Sequence, residues 1–196
     1  MENSLFSKFR WLNEPHHSTV GENTIEFTTI PETDFWQRTH YGLQKADGQA
    51  FLTDIDDDFT FSIRCDFDYK SLFDQCGLLL WIDSDNWAKA SLECGDKDGA
   101  PGALGSIVTL NGFSDWASTP MINFPQHLYF RISRRKSDFR FDYSLDGAAF
   151  IQMRIFHMNK ATHHVQVGIY ACSPRNSSFN ARFSDIVIEA SKWMPE

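Results

Sequence analysis

In the segment Asp34–His40, a tryptophan, an arginine and a histidine occupy alternate positions. Because the side chains of a β-strand alternate between its two faces, Trp36, Arg38 and His40 would lie in one line on a strand. Such a line offers an aromatic stacking surface, a forked hydrogen-bond donor and a titratable donor. The spacing predicts a ligand-binding face, although tryptophan in β-proteins more often serves in core or edge packing.

A second group of candidate ligand-binding side chains lies in Gly77–Glu93. There, two stretches of alternating apolar and polar residues flank the turn Asp83–Asn86. The apolar positions predict one buried face, made of Leu78, Leu80, Ile82, Ala88, Ala90 and Leu92. The other face of this hairpin would carry Trp81, Lys89 and Glu93 within cross-strand or diagonal reach. They are candidates for binding a polar ligand, although a lysine–glutamate pair across strands is more often a surface ion pair of little energetic consequence.

The third candidate segment is NGFSDW at residues 111–116, which is expected to form a loop. An exposed indole can stack on a pyranose ring while neighbouring carboxylate and hydroxyl groups bind the sugar hydroxyls. The three segments together predict one ligand-binding site, formed by Trp36, Arg38, His40, Trp81, Lys89, Glu93, Asp115 and Trp116.

Glu93 is the leading candidate for a catalytic acid or base. A glycosidase needs two carboxyl groups about 5–10 Å apart, and Asp83 and Asp115 are the candidate partners, with His40 or Lys89 assisting. Lys89 beside Glu93 would, however, favour an ionised carboxylate over a general acid. The sequence contains no G-x-S-x-G, H-E-x-x-H or P-loop motif, so a non-catalytic function is preferred.

No metal site or cofactor is expected. The pairs His16-His17 and His163-His164 are adjacent in sequence, and adjacent residues of a strand face opposite ways. The acidic run Asp54–Asp58 lacks the glycine and the terminal glutamate of a calcium-binding loop, and is interpreted as a solvated turn.

Alternation of apolar and polar residues also defines the elements that must position these side chains. It is clearest in Asp58–Asp68, where the apolar residues occupy the odd positions Phe59, Phe61, Ile63, Cys65 and Phe67. A helix would scatter them around its circumference. The same period recurs in residues 128–133, 139–145, 150–156, 165–172 and 185–189.

Turn signals such as Asp146-Gly147 separate these runs, and Gly95–Gly105 is expected to be a long loop between strands. No segment predicts a helix of more than about two turns. The pattern predicts an all-β protein in which two antiparallel sheets pack as a sandwich, with residues 1–196 forming a single domain.

The net charge of −8 and the pI near 5.3 argue against a nucleic-acid partner, which needs a basic surface. No apolar stretch reaches the ~20 residues of a membrane helix, and the N-terminal residues lack a secretory signal pattern. The four cysteines form no C-x-x-C pair. We therefore expect a cytoplasmic protein with free thiols that binds neither nucleic acid nor membrane.

Five blocks carry a family resemblance: DFWQRTHYG at 34–42, DQCGLLLWIDSDNWAKASLE at 74–93, IVTLNGFSDWAS at 107–118, SLDG at 144–147 and YACSP at 170–174. In order and spacing, the chain from Phe9 to Glu189 resembles the regulation-of-enolase-like family of domains of unknown function. The resemblance implies a concanavalin A-like jelly-roll sandwich, a fold shared with lectins, glucanases and lyases. It also implies a cytoplasmic regulatory role, because a fungal member is associated with control of galactose metabolism and enolase.

Three functional hypotheses follow. The first is a non-catalytic carbohydrate-binding or sugar-sensing domain that takes a saccharide or sugar derivative and has a regulatory role in sugar metabolism. The second is a carbohydrate-active enzyme, a hydrolase or lyase, that uses Glu93. The third is a protein-interaction domain that regulates a metabolic enzyme by binding it.

Overall fold

The computed structural model of the chain describes residues 5–95 and 101–193. They contain a 3₁₀ helix at Leu5–Lys8 and sixteen strands. In chain order the strands are β1 (Arg10–Leu12), β2 (Ser18–Val20), β3 (Ile25–Thr28), β4 (Phe35–Gln37), β5 (Gln44–Ala46), β6 (Gln49–Ile55), β7 (Phe59–Asp66), β8 (Gln75–Asp83), β9 (Asn86–Glu93), β10 (Gly102–Leu110), β11 (Phe113–Met121), β12 (His127–Arg135), β13 (Asp138–Ser144), β14 (Ile151–His157), β15 (Val165–Cys172) and β16 (Asn180–Ala190). None of the helices in these residues is long and apolar enough to cross a bilayer.

Two seven-stranded sheets hold fourteen of these strands. Sheet A has the order β1-β6-β15-β8-β9-β10-β11, sheet B has the order β14-β13-β12-β7-β16-β3-β2, and β4 and β5 form a separate hairpin. Neighbouring strands within each sheet pair antiparallel, as β8 does with β9 and β12 does with β7. The predicted all-β class with two antiparallel sheets is confirmed.

Side chains that point between the two sheets form the main core. On β7 the residues of one face are buried, namely Phe59, Phe61, Ile63 and Cys65, whereas Ser62 and Arg64 between them are only partly buried. The even positions of β8 and β9 enter the same core from sheet A, with Leu80 and Ala88 among them. The two-residue period of the sequence therefore identifies the inner faces correctly, because burial of those apolar side chains is what holds the sheets together.

A second apolar cluster covers the outer face of sheet A. The β4–β5 hairpin lies over this face, and Phe35 packs edge-on against Trp87 and Tyr170 with ring centroids 5.8 and 5.7 Å apart. An antiparallel sheet commonly leaves one face in water. Here, the covering hairpin removes much of that face from solvent and leaves one recess in it.

The strand expected over Asp34–His40 is limited to β4, Phe35–Gln37. Arg38 and His40 adopt positive φ angles of 55° and 60°, which end the extended conformation and turn the chain towards β5. These residues therefore do not continue the line that begins at Trp36.

Two further segments differ from the predicted elements. The loop expected over Gly95–Gly105 ends earlier, because β10 begins at Gly102, and residues 96–100 of it lie outside the described part of the chain. Residues 113–116, predicted as a loop, form the first half of β11. Trp116 is therefore held by a strand that pairs with β10.

The substitution Ile63→Val is expected to lower the free energy of unfolding by about 0.5–1.5 kcal/mol, because it removes a methylene from a fully buried side chain. Ile155→Val on β14 is the matched control, since Ile155 is exposed and its change should stay within about 0.5 kcal/mol. Urea denaturation of both variants measures the difference. Equal losses would contradict the inward orientation of the β7 face.

Candidate functional site

A cavity of about 430 Å³ opens on the outer face of sheet A. Its walls come from the β4–β5 hairpin and the residue before it, from β8 to β11, and from the segments that follow β7 and β15. The lining residues are Asp34, Trp36, Tyr41, Leu43, Phe73, Gln75, Lys89, Glu93, Ile107, Trp116, Pro174 and Arg175.

Lys89 lies at the centre of the cavity floor. Its side chain rises from β9 and is only 3% exposed. The Lys89 Nζ donates to Gln75 Oε1 at 2.8 Å and to Asp34 Oδ1 at 3.4 Å, and it lies 5.4 Å from the centroid of the Tyr170 ring. A buried ammonium group needs such partners, because an unpaired charge removed from water costs several kcal/mol.

Gln75 connects Lys89 to Glu93. Its Nε2 donates to Glu93 Oε2 at 3.2 Å, and its Oε1 accepts from Lys89 and, at 3.0 Å, from the Tyr170 hydroxyl. These contacts fix the amide with its oxygen towards the lysine and its NH₂ group towards the glutamate. The result is a continuous hydrogen-bonded chain across the cavity, here called the polar floor, which consists of Asp34, Lys89, Gln75 and Glu93.

The cavity changes the acid–base behaviour of Glu93. Burial raises the pKa of Glu93 to about 7, the charge of Lys89 opposes this rise, and the charge of Asp34 adds to it. At neutral pH the carboxyl group is therefore about half protonated. Glu93 can accordingly act as a hydrogen-bond donor or as an acceptor under ordinary conditions.

The walls of the cavity are largely aromatic. Trp116 is 45% exposed, whereas Trp36 is only 8% exposed and donates its indole N–H to the Thr39 carbonyl oxygen at 2.9 Å. The two indole rings are 6.5 Å apart and nearly perpendicular, at 83°. A Cβ at Gly105 would lie 2.9 Å from the Trp116 Nε1, so the glycine leaves room for the indole against β10. The two rings form a corner in which a flat ligand can stack on one face and contact the other edge.

Arg38 anchors the β4–β5 hairpin. Its Nη1 donates to Asp85 Oδ1 at 3.1 Å and to the Gly112 carbonyl oxygen at 2.9 Å. Gly112 has a φ of 78°, and a Cβ at that position would collide with the guanidinium group. The contacts attach the hairpin to the β8–β9 and β10–β11 turns, and so hold Trp36 in the cavity wall.

The structure brings four of the predicted site residues to the cavity, namely Trp36, Lys89, Glu93 and Trp116. It does not bring Arg38 or His40 there. Arg38 serves as the hairpin anchor, and His40 is exposed on the hairpin tip, with its ring centroid 4.6 Å from that of Tyr41. The reason is the left-handed turn at both residues, which breaks the two-residue alternation.

Trp81 and Asp115 also lie away from the cavity. Trp81 packs edge-on against Phe35, 6.0 Å between centroids, in the apolar cluster under the hairpin. Asp115 forms an ion pair of 2.6 Å with Arg154 of β14 in sheet B, so it points to the opposite side of β11 from Trp116.

Glu93 does not pair with either carboxylate proposed from the sequence. Asp83 lies at the other end of the β8–β9 hairpin, roughly 25 Å away for strands that rise about 3.3 Å per residue. Asp115 is on the opposite face of β11. The acid that shares the cavity with Glu93 is Asp34, on the far side of Lys89 and Gln75.

Sequence reasoning missed Asp34 and Gln75 as members of the site. Asp34 shares the two-residue spacing of Trp36 and was detectable on that ground, whereas Gln75 lies two residues before the predicted hairpin segment Gly77–Glu93. Phe73 and Arg175 come from loops, where alternation gives no orientation; the Arg175 guanidinium lies 5.1 Å from the centroid of the Phe73 ring.

Within residues 5–95 and 101–193, no group of three or more histidine, cysteine, aspartate or glutamate side chains is placed to hold a metal ion. Cys172 lies beneath the polar floor, with its thiol 3.8 Å from Asp34 Oδ1. Burial raises the pKa of the Cys172 thiol well above its ordinary value, and the Asp34 charge adds to the effect. A thiol held protonated in this way is a poor nucleophile, so the chemistry of the cavity is that of its carboxyl, amide and ammonium groups.

The sequence of the chain matches that of a known protein family. A family model described as "Protein of unknown function (DUF1349)" matches residues 11–191, and the chain belongs to this family. The Regulation of enolase protein 1 of Saccharomyces cerevisiae is 29% identical over 184 residues, which cover 94% of this chain and 90% of the yeast protein. The family resemblance carried by the five sequence blocks is confirmed.

Solved structures agree with this assignment. A Saccharomyces cerevisiae protein described as functionally unknown superposes with a TM-score of 0.87 at 29% identity, covering 94% of this chain and 97% of the other. A GH43 protein from Bacillus licheniformis has a TM-score of 0.71 at 14% identity. The superposition includes 93% of this chain and 37% of the GH43 protein. An alginate lyase from Klebsiella pneumoniae has a TM-score of 0.62 at 8% identity, covering 86% of this chain and 82% of the lyase. The last two likenesses concern the fold alone, and they confirm the predicted jelly-roll sandwich.

The substitution Glu93→Gln is expected to stabilise the protein at pH 8 and to change its stability little at pH 5. Because the folded-state pKa of about 7 exceeds the ordinary value of 4.5, the folded state binds more protons than the unfolded state in this window. The contribution of Glu93 to the stability of the wild type therefore falls as the pH rises from about 4.5 to about 7. The amide has no proton to lose, so the gain at pH 8 should be of order 1–3 kcal/mol.

Urea denaturation at pH 5 and pH 8 measures this effect, and Glu14→Gln at an exposed position is the matched control. An identical effect of Glu93→Gln at both pH values would contradict the raised pKa.

Proposed function

We propose that the chain is a non-catalytic saccharide-binding domain with a sugar-sensing role. The observation that carries the proposal is a buried Lys89 ammonium group hydrogen-bonded between Asp34 and Gln75, in the same cavity as the exposed indole of Trp116. Polar atoms on a floor and aromatic faces on the walls are the combination that a sugar ring needs, since its hydroxyls require hydrogen bonds and its C–H faces require apolar contact. The cavity volume of about 430 Å³ lies within the ordinary range for small-ligand pockets.

The proposed biological role is regulatory. It is supported by the 29% identity to the yeast relative, whose name describes regulation of enolase. On this proposal the whole of residues 1–196 acts as one cytoplasmic domain, and saccharide occupancy of the cavity changes its binding to a metabolic enzyme. The covering hairpin is suited to such coupling, because it contributes both to the cavity wall and to the exposed surface through Tyr41.

A carbohydrate-active enzyme that uses Glu93 is the alternative proposal. It is favoured by the pKa of Glu93 near 7, since a general acid works best when its pKa is close to the operating pH. Against it, Asp34 is ion-paired with Lys89, and His40, the other assisting group expected from the sequence, lies outside the cavity. Cleavage of a bound saccharide by the wild type, lost in Glu93→Gln, would favour the enzyme over the binding domain.

The substitution Trp116→Ala is expected to weaken saccharide binding at least tenfold, because it removes the exposed stacking surface while leaving the polar floor intact. Phe113→Ala is the matched control, since Phe113 lies on the same strand, is 61% exposed and does not line the cavity. A glycan array selects the saccharide, isothermal titration calorimetry measures its affinity, and circular dichroism verifies the fold of each variant. Absence of saccharide binding by the wild type, or equal affinities of the two variants, would contradict the proposal.

A further inference from the structure

The polar floor has hydrogen-bonding capacity that its own contacts leave unused. An ammonium group has three N–H donors, and among the described residues the Lys89 Nζ donates to two acceptors, Gln75 and Asp34. The contacts of the Asp34 carboxylate within the same residues all use Oδ1, and those of Glu93 use Oε2. Within residues 5–95 and 101–193, one donor and two carboxyl oxygens therefore remain for a ligand.

Neither carboxyl group is fully enclosed. The Asp34 side chain is 20% exposed and Glu93 is partly buried. Both residues line the cavity, and they are the two ends of the hydrogen-bonded polar floor that contains Lys89. A ligand over Lys89 thus meets an acceptor on either side.

The charge of the floor disfavours an anion. The single cation of the floor, Lys89, is already paired with Asp34, and Glu93 adds negative charge as the pH rises. A carboxylate or phosphate on the ligand would approach two acidic side chains, and the ammonium group of the floor is already paired. Arg175 contributes a positive charge at the rim, but it is exposed and stacks over Phe73, where water and salt screen it.

We propose that the cavity selects an uncharged sugar ring with two neighbouring hydroxyl groups, which donate to Asp34 Oδ2 and Glu93 Oε1. A third sugar oxygen accepts the free N–H of Lys89, and one face of the ring stacks on Trp116. This inference rests on the proposed saccharide-binding function and adds the ligand class. It makes Glu93 a specificity-determining residue, because its negative charge rejects acidic sugars.

The test compares sugars that differ at one position. Glucose, glucuronate and glucose 6-phosphate form one set, and galactose, galacturonate and galactose 6-phosphate form another. Affinities are measured by titration at pH 8 and pH 5.5 with the wild type and Glu93→Gln. We expect one neutral sugar to bind at least tenfold more tightly than its acidic counterparts at pH 8, and this preference to shrink at pH 5.5, where Glu93 is protonated.

The Glu93→Gln variant tests whether the charge of Glu93 causes the preference for neutral sugars. Glu93→Gln should lose most of the preference for the neutral sugar at pH 8, whereas Glu14→Gln should keep it. Equal or tighter binding of a uronate or sugar phosphate would overturn the neutral-sugar inference and leave saccharide binding standing. Failure of all six sugars, together with a blank glycan array, would overturn both.

Discussion

The buried Lys89 ammonium group is the constraint on which the cavity depends. A cation that is almost removed from water must be compensated, and sheet A supplies the Gln75 amide oxygen from the neighbouring strand and the ring of Tyr170. The carboxylate comes from Asp34, at the start of the covering hairpin. The charge pairing therefore links the hairpin to the sheet, and the recess between them is the cavity.

Apolar packing next to Asp34 supports the same arrangement. Phe35 lies against Trp87 and Tyr170, and Trp36 contributes to the cavity wall. Burial of the aromatic side chains thus stabilises the hairpin against sheet A, and the hydrogen bonds of the polar floor fix its position. Tyr170 participates in both, since its ring packs on Phe35 while its hydroxyl donates to Gln75.

Much of the fold is predictable from the sequence because the inner faces of the sheets obey one simple rule. Apolar residues at every second position, as on β7, can face only the core. Lys89 and Glu93 were assigned to the correct side of β9 by the same rule. It fails for Arg38, because left-handed backbone conformations reset the alternation, and for Asp115, because the sequence of β11 has too little apolar contrast to reveal a strand.

The rest of the site depends on contacts between residues distant in sequence. The sequence around Trp81 does not indicate that Phe35 packs against it, and the sequence around Arg175 does not indicate that it lies near Phe73. The pairing of Asp34 with Lys89 spans 55 positions. Alternation sorts residues between faces, but it does not say which loops or hairpins fold over a face.

Hydrogen exchange in the variant Lys89→Met tests most directly whether this charge pairing organises the site. Methionine has a similar shape without the charge, so it leaves Asp34 uncompensated beneath the hairpin. We expect exchange of the backbone amides in β4 and β5 to accelerate at least tenfold, while amides of β7 and β12 in sheet B keep their protection. Unchanged protection of the hairpin would contradict the account, because the apolar cluster alone would then suffice to form the cavity.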